Sequence, residues 1–132
     1  YKEPYWSPLG SPEVAKDFPL VLTSGGRSNN YTHSQGRQLE ILKQREPNPR
    51  IQINPVDAAA RDIAEGDHVS ISSPNGEIKM YAWLTDIVVP GVVHVFHGWP
   101  EVNVNALISD TGLDPISGYP PFKSSLCEVG KI

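Results

Sequence analysis

At 132 residues the chain has the length of one domain, and 39% hydrophobic against 20% charged residues is a globular composition. A net charge of −4 argues against a general nucleic-acid or anionic-membrane surface. The single cysteine, Cys127, excludes an intramolecular disulfide and any cysteine-built zinc or iron–sulfur cage.

Residues 1–17 carry Pro4, Pro8 and Pro12 with Tyr1, Tyr5 and Trp6 between them. That proline density opposes helix and central strand, so an extended Pro-rich arm is expected ahead of a domain spanning 18–132. The arm reads as a disordered tail or as a segment whose aromatics dock outside this chain, and its removal is expected to change stability little. The chain opens on Tyr1, without an initiator Met, and reads as a piece of something larger. FPLVLTS (18–24) is apolar and ends in Gly25-Gly26, a buried first strand entering a tight turn. Residues 31–46 give a weak helical pattern that Pro47 and Pro49 end. RIQIN (50–54) alternates as a short strand. NPVDAAARDIAEGD (54–67) follows as a helix, with Asn54 as N-cap, Pro55 in the first turn and Gly66 closing it.

HVSIS (68–72), the turn SPNG and EIKMYAWL (77–84) form a hairpin with alternating apolar residues. Pro90-Gly91 turns the chain into VVHVFHGW (92–99), a strand that breaks at Gly98. The apolar run there is too short and too interrupted to cross a bilayer, so no direct membrane insertion is expected. Residues 100–123 read as a long ordered loop and 124–132 as a last strand. Six strands, two short helices and long Gly/Pro-rich connections point to a mainly β fold, a small closed barrel without exposed sheet edges.

Two segments carry candidate chemistry. SGGRSNNYTHSQ (24–35) follows a strand and is almost wholly hydrogen-bonding; its glycines permit close backbone approach and Arg27 offers a permanent fork of donors suited to phosphate. Its alternative reading is a solvated Asn/Ser/Gly turn. HVFHGWPEVNVNALIS (94–109) places His97, Gly98 and Trp99 at a strand end with Asn103 and Asn105 beyond, either a wall for a planar ligand or a core Trp with loop-capping Asn side chains. On a strand His94 and His97 face opposite sides, which opposes joint metal chelation. The Gly-x-Ser-x-Gly elbow, the Gly-x-Gly-x-x-Gly fingerprint and the Walker lysine loop are all absent, so no reacting group stands out.

The order of the segments is more specific than any one of them. An apolar strand, SGGRSNNYTHSQ, INPVDAAARDIAEGDHVSISSPNGEI, IVVPGVVHVFHGW, NVNAL and LDPISGYPPFK follow in sequence. This resembles the C-terminal molybdopterin dinucleotide-binding domain of the molybdopterin oxidoreductase (dimethyl sulfoxide reductase) family, from about Phe18 to the C terminus. The resemblance implies a six-stranded double-psi β-barrel that binds molybdopterin guanine dinucleotide. It places Gly25, Gly26 and Arg27 on the pyrophosphate, and His33, Ser34 and Gln35 on pterin or phosphate oxygens. Asn105 falls on a pterin or guanine edge and Lys123 near a phosphate, with Tyr31 and His97 matching by position. Ile108 stands where the family commonly has Thr, which removes a hydroxyl.

The resemblance further implies a domain without catalysis of its own, in a larger molybdenum or tungsten oxidoreductase whose metal is ligated by other domains. The expected partners are those domains and an iron–sulfur electron-transfer subunit, with no nucleic acid. The alternative is a stand-alone barrel that binds a protein or peptide. A self-cleaving decarboxylase barrel is disfavoured, because its Gly-Ser pair occurs only as Gly10-Ser11 in the arm.

Overall fold

The computed structural model describes residues 1–132. After a helical turn, α1 (Pro12–Ala15), the order is β1 (Leu20–Gly26), α2 (Glu40–Arg45), β2 (Arg50–Ile53), α3 (Pro55–Ala59), β3 (His68–Ser73), β4 (Gly76–Leu84) and β5 (Val92–Phe96). A 3-10 turn (Val104–Leu107) and β6 (Ser125–Lys131) complete the chain. The strands close into a barrel in the order β1-β5-β2-β4-β3-β6. β5 lies between β1 and β2, and β4 between β2 and β3. Consecutive strands are thus twice parted by a later one, in keeping with the expected six-stranded double-psi barrel. No helix is long and apolar enough to cross a membrane.

Alternation builds the core. Leu20 and Leu22 of β1, Val69 and Ile71 of β3, Ile78, Met80 and Ala82 of β4, and Val93 and Val95 of β5 all point inward. They belong to one cluster of 20 buried residues. Truncating a fully buried member such as Leu22 to Ala costs roughly 2–5 kcal/mol through lost transfer energy and the cavity left behind. Cys127 is part of this cluster, and burial pushes its thiol far above the ordinary range, as expected of an inert core cysteine. With every strand paired on both sides and one core of its own, the chain has the makings of an independently folding unit.

Three local expectations need correction. The helix expected over 54–67 ends at Ala59. Asn54 does cap it, accepting from the Val56 N–H at 3.0 Å while its amide donates to Val88 O at 2.8 Å. Asp62 then takes a positive φ of 54° and turns Ile63 into the core, which a continued helix would not do. The helical pattern over 31–46 is realised only at Glu40–Arg45, because the residues before it belong to a loop tied down elsewhere.

The arm is neither wholly extended nor a free tail. Pro12 sits in the first turn of α1, where a missing N–H costs nothing. Trp6 Nε1 donates to Thr111 O at 3.0 Å, and Ser124 Oγ donates to Trp6 O at 2.6 Å. Trp6 of the arm therefore docks on this chain's own loops, whereas Tyr1 stays exposed.

Candidate functional site: a cleft at one mouth of the barrel

Parallel pairing of β1 with β5, in a register that sets Gly26 opposite Phe96, brings the C-terminal ends of both strands out side by side. The two polar segments singled out in the sequence leave the barrel at that point and face each other. Between them lies a cleft of about 780 Å³, lined by Ser24, Gly25, Arg27, His33 and Ser34 on one side and by His97, Gly98, Trp99, Asn103 and Asn105 on the other. Tyr119 and Phe122 close a third side. Its size lies within the range of small-molecule sites, and barrel mouths are a usual place for them.

The long 100–123 connection is held over this end by three buried serines. Ser24 Oγ donates to Phe122 O at 3.0 Å, Ser73 Oγ to Leu107 O at 3.0 Å, and Ser125 Oγ to Pro121 O at 3.1 Å. Each lies at the mouth end of its strand and adds a second bond to a loop carbonyl: Phe122 O also accepts from the Ser24 N–H at 2.7 Å, Leu107 O from Asn75 Nδ2 at 3.3 Å and Pro121 O from the Ser124 N–H at 3.2 Å.

The 24–37 loop is fixed from below by Glu46, which is buried at the end of α2. Its carboxylate accepts from Ser28 Oγ and from Asn30 Nδ2, the latter at 2.9 Å, and its carbonyl accepts from Tyr31 Oη at 2.9 Å. Tyr31 is consequently a core residue, edge-on to Trp99 at 5.8 Å, and does not line the cleft. Burial raises its phenol above the ordinary value.

Six of the ten site residues expected from the sequence share the cleft: Gly25, Arg27, His33, Ser34, His97 and Asn105. Gly26, Tyr31, Gln35 and Lys123 do not line it. Gly26 is required for packing, since a Cβ there would collide with the His94 imidazole. That imidazole faces Gln52, with Nδ1 2.9 Å from Oε1, and lies away from the cleft. Gln35 is exposed in a local turn, its N–H donating to Thr32 O. Lys123 is exposed beside the lining residue Phe122.

Across the cleft, His33 Nδ1 and His97 Nε2 lie 2.8 Å apart. His33 has a positive φ of 54°, an uncommon conformation for a residue with a Cβ, and its backbone lies directly under Gly98. Burial, with the charges of His33 and Arg27, lowers the His97 pKa. Arg27 is exposed and has neither an ion pair nor a side-chain hydrogen bond, and no Asp or Glu lines the cleft. An acidic chain thus presents a locally cationic, donor-rich cleft, suited to an anionic ligand with polar edges. The unpartnered Arg27 fork, the Asn105 amide and the absence of opposing carboxylates fit a phosphate-bearing dinucleotide.

Sequence reasoning missed Ser24, Tyr119, Phe122 and Arg37. Arg37 donates from Nε to Gly98 O at 2.6 Å, and its Cζ lies over Trp99, 3.5 Å from a ring centroid, and over Tyr31 at 4.2 Å. Nothing local in the sequence marks it, because Gly98 and Trp99 are some 60 residues away.

A closed barrel with such a cleft at one mouth defines a binding domain for a polar, anionic ligand. Residues 20–126 match the Molydopterin dinucleotide binding domain, and the chain belongs to that family. It is 35% identical over 130 residues to the dopamine dehydroxylase of Eggerthella lenta, covering 89% of this chain and 13% of that protein. It is 34% identical over 118 residues to the F420-dependent formate dehydrogenase subunit alpha of Methanocaldococcus jannaschii, covering 89% of this chain and 17% of that one. The structure superposes on acetylene hydratase from Pelobacter acetylenicus with a TM-score of 0.92 and 26% identity, over all of this chain and 21% of that one. The chain therefore spans only a small part of these relatives, as a molybdopterin dinucleotide-binding domain.

Proposed function

We propose that this domain holds the guanosine end and pyrophosphate of molybdopterin guanine dinucleotide, within a larger molybdenum or tungsten oxidoreductase subunit whose other domains ligate the metal. The observation that carries this reading is the free Arg27 fork at the mouth of a cleft without carboxylates. Arg27 and the backbone at Gly25 would take pyrophosphate oxygens. His33 and Ser34 would donate to neighbouring oxygens, and the Asn105 amide, which donates and accepts at once, would meet a guanine or pterin edge. When bound, the cofactor supplies the redox-active metal centre; this chain contributes binding and orientation. The remaining domains of the subunit, and an iron–sulfur subunit that passes electrons, are the proposed partners.

Calorimetric titration with guanosine diphosphate, beside Arg27→Ala, tests the reading. Weak saturable binding is expected for the wild type and at least about tenfold weaker binding for the variant, since charge-assisted hydrogen bonds contribute roughly 1.5–3 kcal/mol. Lack of saturable binding, or equal binding by both proteins, would overturn the assignment of the guanosine diphosphate portion to this cleft.

A further inference from the structure

Two walls of the cleft come from segments far apart in sequence, and Arg37 spans the join. It leaves the same loop that carries Arg27, His33 and Ser34, packs on Tyr31 of that loop, and makes its other contacts on the opposite wall. Nε donates to the Gly98 carbonyl at 2.6 Å, and Cζ lies over the Trp99 ring and over the Tyr31 ring. Both Nη atoms are buried without a hydrogen-bond partner, as is Trp99 Nε1. Burial lowers the Arg37 pKa, partly opposed by Tyr31, Glu46 and Glu101. Orphaned donors of this kind are costly and uncommon. Here two aromatic faces and one carbonyl retain a cation that makes no salt bridge.

We propose that Arg37 is a positioning residue, which clamps the 24–37 loop to the His97–Trp99 corner and so sets the separation of the two cleft walls. A guanidinium can place its carbon over the Trp99 ring while its Nε–H reaches the Gly98 carbonyl; a lysine ammonium supplies the charge without that second donor position. The clamp keeps His33 beneath Gly98 and within hydrogen-bonding distance of His97. Its bearing on ligand affinity rests on the function proposed above, whereas its bearing on wall geometry does not.

Arg37→Lys and Arg37→Met, compared with wild type, separate the outcomes. Nitrogen NMR of the imidazoles reads the His33–His97 pair directly, thermal unfolding reads the barrel, and guanosine diphosphate titration reads the cleft. Both variants should lose the imidazole–imidazole coupling and bind the nucleotide about tenfold more weakly, with β-strand resonances unchanged. Persistence of the coupling in Arg37→Lys would overturn the clamp and leave charge as the residue's contribution. Resonance shifts throughout the barrel with a matching loss of thermal stability would also overturn it, reducing Arg37 to a core contact. If wild type shows the coupling but binds no nucleotide, the ligand reading fails while the imidazole spectra still decide the clamp.

Discussion

His33 and His97, 64 positions apart in the chain, meet at 2.8 Å between Nδ1 and Nε2. A hydrogen bond of this kind needs one bare nitrogen, so a doubly charged pair cannot keep it. His97 and the half-buried His94 both have pKa values lowered from 6.5, first by burial and then by neighbouring positive charge. The folded state therefore binds fewer protons than the unfolded chain as pH falls through about 6.5, and stability present above that pH is lost below it. Thermal unfolding between pH 7.5 and 5 should show a falling midpoint, flattened in His97→Gln. An unchanged midpoint across that window would contradict the depressed values.

Gly98 touches the same contact from above. Its φ is +92°, and a Cβ there would fall 2.7 Å from the His33 carbonyl carbon. Gly98→Ala should cost roughly 2 kcal/mol or more, as strained backbone and a displaced wall combine. Urea unfolding measures this, and an alanine variant as stable as the wild type would mean that the walls are not in contact in solution.

Glu46 provides a sharper test of how the 24–37 loop is held. Replacing it with Ala strands the Ser28 hydroxyl and the Asn30 amide, and should destabilise the fold by roughly 2–4 kcal/mol. Glu46→Gln keeps an acceptor oxygen and should recover part of that loss. If the two variants unfold alike in urea, the side-chain hydrogen bonds contribute nothing.

The barrel was legible because alternation at Val69, Ile71, Ile78 and Met80 is local, and so were the turns that separate the strands. The Asn54 cap was legible for the same reason. The cleft was legible in part: residues following a strand end, such as Arg27 and His97, are marked by their own neighbours. Tyr31 and Arg37 were not, because their roles depend on Trp99, which only the β1–β5 pairing brings near. Gly26 is a glycine because of His94, another residue from the far half of the chain. Order of motifs along the sequence identified the family, while distant pairing decided which members of each motif line the cleft.

The arm gives the clearest departure. Composition predicts a dispensable segment, yet Trp6 makes two hydrogen bonds to loops near the C terminus. Deleting residues 1–10 should lower the melting temperature by several degrees, corresponding to a loss of roughly 1–3 kcal/mol. Trp6→Ala, which removes the indole donor to Thr111 O but keeps the carbonyl that Ser124 bonds, should reproduce part of the shift. A truncated chain that melts with the wild type would restore the dispensable tail.

Leu20 pairs with Cys127, so the strand that feeds the Arg27 loop is completed on one side by the last strand made. During N-to-C synthesis the first strand waits, edge exposed, until almost the whole sequence has emerged, and non-local pairing of this kind is slow to form. The cleft is then assembled late: the wall that β1 carries gains its second neighbour only as translation of the domain ends.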